Sequence, residues 1–374
     1  MQGGSMPEPV MAATSAQDQD FFSGILAMLA QRKSLSALQA EAAFGCIMDG
    51  TVPPERIAAF LMALRVRGET QDELLGAVTA LRQRMHPVPN APLNTIDVCG
   101  TGGDKYGTLN VSTAVAFVLA ALGVPVAKHG NRAVSSLSGA SDVLAALCVP
   151  LSAQPEVLAE QLVRHHVVFM AAPHHHPAMR HAAGARKSLA LPTLFNLVGP
   201  MVNPAGVKRQ LMGVYSPQWL RPVTEVLARL GSHCVWTVCG QPQNEEGCID
   251  EITLAGPTQA VALENGQIQS HLIEPDMAGL AYAPVSAIKG GDARHNAQAL
   301  EALLRGAHGA YRDTVLLNAA FALHVAGQQN ILRNGRIDPA SLKNSVATAA
   351  RSLDNGTAYA VLNGLRASLP DAHA

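Results

Sequence analysis

Aromatic side chains make up only 4% of this 374-residue chain, so its core has to be built from Leu, Val, Ala and Ile. An excess of charge of one sign is also missing. The formal net charge is −1, with 15% of residues charged, which argues against a general nucleic-acid binder while leaving room for a local basic pocket. Cysteines are few: Cys46, Cys99, Cys148, Cys234, Cys239 and Cys248 contain no C-x-x-C pair, and most lie in apolar runs such as 96–99. They read as buried free thiols of a reducing compartment and exclude a disulfide frame or a zinc site. The longest apolar stretch, around residues 114–126, is too short to span a bilayer and ends in a Gly-Val-Pro turn. With no secretory signal pattern either, the expectation is a cytoplasmic protein without membrane or nucleic-acid partners.

What is present divides into two rhythms. The first ninety residues read as helices only. Phe22, Ile25, Leu26 and Leu29 mark one apolar face, and Ser36 with Gln39 forms a capping box for the helix carrying Ala43, Phe44 and Ile47. Pro54 opens a third helix with Ile57, Phe60, Leu61 and Leu64 inward and Gly68 at its end; Thr70 and Glu73 cap a fourth. The proline-rich stretch 86–92 sets a domain boundary, giving a small helical domain over 1–90 and a second domain over 91–374. Beyond it, short apolar runs at 95–99, 124–128, 167–171, 211–215 and 234–239 read as buried strands, with helical segments such as 112–122, 141–147 and 155–165 between them. Strand–helix alternation predicts a parallel sheet with right-handed crossovers, and ligands of such sheets gather at the C-terminal strand ends.

The loops at those ends carry the chemistry. Gly100-Thr101-Gly102-Gly103-Asp104 leaves the first strand, and successive glycine amides can form a nest for phosphate oxygens. It is neither a Walker A loop nor a dinucleotide fingerprint, and alone it reads equally well as a plain strand-to-helix turn. Asn110-Val111-Ser112-Thr113 opens the next helix, whose N-terminal end favours an anion while Ser112 alone suits a simple cap. After the second strand comes Lys128-His129-Gly130-Asn131-Arg132-Ala133-Val134-Ser135-Ser136, a dense polar run suited to a sugar phosphate. Asp250-Glu251 supplies the paired carboxylates that magnesium takes together with substrate phosphates. His174-His175-His176 does not set three imidazoles on one helix face and reads as a loop leading into a helix at 177–189. On that helix Arg186 is a candidate carboxylate anchor.

Together these residues resemble the anthranilate phosphoribosyltransferase family. The likeness extends from about Leu26 to Gly327 and includes residues 43–50, 59–70, 195–200, Asn203-Pro204, 290–293 and 316–319. It implies a small all-helical domain beside a larger α/β domain with a mostly parallel central sheet, of the nucleoside phosphorylase/phosphoribosyltransferase kind. Helices near 177–197 would return to the small domain, and the enzyme would be a homodimer. By resemblance, Gly100, Gly103, Asp104, Thr108, Asn110, Val111, Ser112 and Thr113 bind phosphoribosyl pyrophosphate (PRPP), together with residues 128–136 and, through backbone only, Ala140, where many members carry serine. Gly100, Asn131, His176 and Arg186 match anthranilate-binding positions, and His129 lines the acceptor path. Ser112, Asp250 and Glu251 match magnesium ligands. The implied reaction transfers phosphoribosyl to anthranilate, in tryptophan biosynthesis, without a covalent protein nucleophile. Two alternatives are a pyrimidine nucleoside phosphorylase, which differs at 128–132, and a non-catalytic nucleic-acid-binding relative, which the neutral charge disfavours. Segment 241–247 departs from the family pattern.

Overall fold

The computed structural model describes residues 16–131, 137–243 and 245–368. The chain divides into two compact units, Met1–Arg84 with Pro177–Leu194, and Met85–His176 with Phe195–Ala374. Arg132, Ala133, Val134, Ser135 and Ser136 lie outside the described residues.

In the helical unit, helices run over Ala16–Ala30, Ala37–Met48, Pro54–Arg67, Gln71–Arg82 and Arg180–Leu189. Local signals place their starts. The Ser36 hydroxyl accepts from the Gln39 amide at 3.3 Å, and the Gln39 side chain accepts in turn from the Ser36 amide at 3.0 Å. Thr70 and Glu73 repeat the arrangement. Glu73 does more than cap: fully buried, it also accepts from the Leu35 amide at 2.9 Å and pairs with Arg67. Phe60 packs on Phe22 and Phe44 at ring separations of 5.5 and 5.3 Å, so three of the few aromatics concentrate in one cluster.

Gly76 sets how closely the helices at 37–48 and 71–82 approach. A Cβ there would overlap the Ala37 carbonyl and lie 2.5 Å from the Glu41 nitrogen. In an exposed helix Gly→Ala gains about 1 kcal/mol; here overpacking, at about 1–3 kcal/mol, opposes it. Gly76→Ala should therefore lower the melting temperature of the helical unit, and calorimetry showing a rise would refute this packing.

The larger unit is built on a seven-stranded sheet: β1 Ile96–Gly100, β2 Val126–Gly130, β3 Val167–Ala171, β4 Arg209–Gly213, β5 Cys234–Gly240, β6 Thr258–Glu264 and β7 Gln267–Ile273. Their order is β3-β2-β1-β4-β5-β6-β7, parallel through β5, with β6 and β7 added antiparallel. Side chains alternate across the sheet. Val167 and Phe169 of β3 enter a core shared with helices Val111–Ala121 and Ala310–Val325, while Val168 and Met170 enter a core with Leu158 and Leu162 of helix Pro155–His165. Helix Val111–Ala121 is apolar on nearly every face and buried accordingly. That fixes its N-terminal end beside β1.

The structure differs from the sequence reading at several points, among them a short helix over Ala172–His175 where the sequence reads as a loop. The β6–β7 hairpin is absent from the expected strands, because β7 is an exposed edge strand with mostly polar outward residues. Its signal is nonetheless present: Asn265-Gly266, both at positive φ, forms the two-residue turn between paired Glu264 and Gln267. The reading of all six cysteines as free thiols is also corrected. Cys239 and Cys248 are joined in a disulfide, while Cys46, Cys99, Cys148 and Cys234 carry no disulfide; of these Cys148 is exposed and Cys46 only part-buried, against the expectation of burial. Gly240 and Ile249 exchange two backbone hydrogen bonds of 2.8 Å, and this bridge brings the flanking cysteines to a Cα separation of 5.5 Å.

Candidate active site

The chemistry-bearing loops meet at the C-terminal ends of β1 and β2. Gly100 of β1 and Gly213 of β4 are register partners. A Cβ on Gly100 would overlap the Asp250 carboxylate, and one on Gly213 would overlap the Asp250 backbone. Two glycines thus open the slot that admits Asp250. Beyond β1 the chain turns through Gly102 and Gly103 at φ of 66° and 80°, and the Gly102 amide donates to Asp250 Oδ2 at 2.6 Å. Asp104 accepts from the Tyr106 amide at 3.2 Å.

Glu251 reaches the next helix. Its Oε1 accepts from the Ser112 amide at 3.1 Å, so a carboxylate already occupies one free N–H of that positive helix end. Lys128, nearly buried on β2, donates to the Val98 carbonyl at 2.6 Å and to Ser112 Oγ at 3.0 Å. Val111 and Thr113 point inward and are buried, so only their backbone is offered to a ligand. Asn110 makes no side-chain cap; its Oδ1 accepts from Asn296 at 2.9 Å and its carbonyl from Tyr311 at 3.0 Å. Thr108 bridges to Lys289.

These carboxylates crowd one another away from water. Burial first, and then Asp250, push Glu251 up to about 8. Burial, then the neighbouring Asp250 carboxylate, raise Asp104, and burial raises Asp250. Two carboxylates driven towards protonation, chiefly by burial, with the Ser112 hydroxyl beside them, make a set of hard oxygens that suits a divalent cation such as magnesium.

On the other side of β2, His129 donates its backbone amide to Asp97 Oδ1 at 3.3 Å and its Nδ1 lies 3.0 Å from the Gly199 carbonyl. The carbonyl can only accept, so Nδ1 carries the proton and Nε2 is left as a buried acceptor without a partner among the described residues. His176, 5.0 Å away ring to ring, has the same orphaned Nε2. Burial, then the neighbouring imidazole, depress His129 to about 3; burial, then His175, depress His176 to about 4. Both are neutral at physiological pH. His175 is turned away to the His86 carbonyl at 2.9 Å, and His174 is exposed.

Asn131 is exposed, and its carbonyl receives the Ser141 amide at 3.3 Å. Gly130 lies close to Ala140: a Cβ on the glycine would be 3.3 Å from that of Ala140. Arg186 stands half-buried on helix Arg180–Leu189 of the helical unit. Burial draws its guanidinium below its usual value.

Supporting residues appear that the sequence does not single out. Asp97, fully buried, receives Asn203 Nδ2 at 2.7 Å, and that amide also donates to the Ala127 carbonyl at 2.8 Å. Burial foremost raises Asp97 to about 6, against the lowering pull of Lys128. Asn296 gathers three segments: Nδ2 reaches Asn110 and Ser138, both at 2.9 Å, and Oδ1 accepts from the Gly291 amide at 2.8 Å. Asn203-Pro204 and the Gly-Gly-Asp run at 290–292 are visible in sequence, but their partners are not.

A site of this kind has known counterparts. The family model described as glycosyl transferase family, a/b domain, matches residues 93–359, and that described as glycosyl transferase family, helical bundle domain, matches residues 23–85. The chain belongs to this glycosyl transferase family. Anthranilate phosphoribosyltransferase of Gluconobacter oxydans (strain 621H) is 56% identical over 347 residues, 93% of this chain and 95% of that one. The enzyme of that name from Rhodopseudomonas palustris (strain ATCC BAA-98 / CGA009) is 49% identical over 92% of this chain and 97% of its own. The crystal structure of the Thermus thermophilus enzyme superposes with a TM-score of 0.82 at 37% identity, covering 92% of this chain and 98% of that chain. The Saccharomyces cerevisiae enzyme in complex with PRPP and Mg gives 0.80 at 26% identity, over 95% and 99%. Within the family the chain's place is with the anthranilate phosphoribosyltransferases. Among the described residues no helix is long and apolar enough to cross a membrane.

Glu251 supplies a pH test. Its folded value of about 8 exceeds the ordinary 4.5. Between those values the folded state holds a proton that the unfolded state has lost, so this contribution to stability falls as pH rises. The depressed histidines act in the opposite sense only below their ordinary value of about 6.5. With a chelator present, the melting temperature of Glu251→Gln minus that of the parent protein should widen from about pH 6.5 to 8. A constant or shrinking difference would contradict the placement of Glu251.

Proposed function

We propose that the chain transfers the phosphoribosyl group of PRPP to anthranilate, giving N-(5-phosphoribosyl)anthranilate and pyrophosphate, the step that family members carry out in tryptophan biosynthesis. The observation that carries this reading is the joining of three loops through two carboxylates: Gly102 to Asp250 and Ser112 to Glu251, with Lys128 on Ser112.

In this reading the segment 100–104 and the amides at 110–113 bind the diphosphate, and Lys128 with the run to Ser136 binds the ribose phosphate side. Magnesium, held by Asp250, Glu251 and Ser112, would neutralise charge on the departing pyrophosphate. The sugar carbon–oxygen bond breaks towards pyrophosphate as the anthranilate nitrogen bonds to the same carbon, and the proton that nitrogen sheds passes to the released pyrophosphate or to solvent. An aryl amine is neutral near pH 7 and needs no strong base, so alignment and leaving-group stabilisation do the work. Arg186 takes the anthranilate carboxylate, Asn131 the amine end, and neutral His129 and His176 line the acceptor side without adding charge to it. A cytoplasmic homodimer formed through the helical unit belongs to the same proposal, supported by Leu38 and Val66, which are 78% exposed there.

Anthranilate fluorescence should fall when PRPP and magnesium are added to the folded protein; an unchanged signal would overturn the assignment. Arg186→Ala should raise the KM for anthranilate by roughly 10- to 100-fold, the worth of a charged hydrogen-bonded pair. Asp250→Asn should act instead on turnover and its magnesium dependence. Exchange of those two effects would reverse the roles of the two residues.

A further inference from the structure

Cys239 is the next-to-last residue of β5, and Cys248 stands two residues before Asp250. Between them the chain leaves the sheet as a short loop whose described residues 243 and 245–247 are exposed, then returns through the Gly240–Ile249 bridge. The disulfide closes the loop on its strand side. On its other side the loop rests on the glycine-rich segment: the Tyr106 hydroxyl donates to the Glu246 carbonyl at 2.9 Å, and Gly247 lies against the Tyr106 ring. Tyr106 is itself held by Lys289, which donates to its carbonyl at 2.7 Å. One small covalent ring therefore leads straight into the carboxylate that receives the Gly102 amide and touches the segment carrying that amide.

We propose that Cys239–Cys248 is a redox modification site, a reversible disulfide that in its oxidised form braces Asp250 against segment 100–107 and in its dithiol form releases it. A small-molecule or protein dithiol supplies two electrons and two protons, leaving two cysteine thiols and its own disulfide. A peroxide takes them back, forming the sulfur–sulfur bond and two waters. The cysteines are buried, at 0% and 1% exposure, and they close a loop of nine-residue span in which residues 243 and 245–247 are exposed. Opening that loop exposes the bond without unfolding the sheet beneath. Neither cysteine enters the transfer reaction. The effect on substrate rests on the reading that Asp250 serves the diphosphate and its magnesium: reduction lowers magnesium-dependent turnover roughly five-fold, the worth of one hydrogen bond no longer held in place.

The full chain, treated with hydrogen peroxide or with dithiothreitol and then denatured and alkylated, should take four labels when oxidised and six when reduced, since four of its six cysteines carry no disulfide. A crosslinked peptide should join Cys239 to Cys248. Hydrogen exchange over 241–251 and 100–107 should be faster in the reduced form, and the Cys239→Ser/Cys248→Ser double variant should match the reduced protein and ignore dithiothreitol. Six labels after peroxide, a crosslink elsewhere, or equal exchange in both forms would overturn the proposal. If neither form turns over, the enzymatic reading fails, while label count and exchange still decide the brace.

Discussion

A carboxylate fills the space where two neighbouring strands would otherwise carry side chains. Asp250 sits over Gly100 and Gly213, and nothing larger than hydrogen fits at either position. From that contact the rest of the site takes its place. Asp250 fixes the turn at Gly102, and its neighbour Glu251 reaches the buried helix start at Ser112. Through Ser112 the arrangement extends to Lys128 on the adjacent strand. The carboxylates are there at a cost in solvation, visible in the upward displacement of Glu251 and Asp104. Such displaced groups gather where a ligand's charge offsets the loss of water.

The two sides of β2 do different work. Towards Ser112 the environment is one of charge, with an ammonium set among acids. Towards Gly199 it is one of neutral imidazoles with bare ring nitrogens, the His129 tautomer fixed by a backbone carbonyl. Asp97 and Asn203 hold the strand between those two environments. Consecutive residues, Lys128 and His129, face these two environments because a strand sends neighbouring side chains to opposite faces.

Much of this is legible in the residues. Ser36, Thr70 and Pro54 mark helix starts by interactions within one turn, and the five parallel strands betray themselves as apolar runs because both faces are covered. The glycine segment, Lys128 and the acidic pair stand out by composition alone. What escapes depends on register or on long separation. The β6–β7 hairpin escapes because its outer strand has an uncovered face, and the Cys239–Cys248 pair because it needs the Gly240–Ile249 bridge first. Asn296 escapes because an asparagine in a helix reads as ordinary until its partners, 158 and 186 residues away, are known.

That long reach also orders the birth of the molecule. Asn318 exchanges hydrogen bonds with both backbone groups of Ile252, the residue after the acidic pair, and Asn296 donates to the side chains of Asn110 and Ser138. Both asparagines lie in the last quarter or so of the chain. On the ribosome, the glycine segment and the carboxylates emerge long before the residues that tie them down. The helical unit can mature early, since its closing helix ends at Leu189. The catalytic half is a late event of synthesis, since helix Ala310–Val325 and the helices that follow it all enter the core over the sheet.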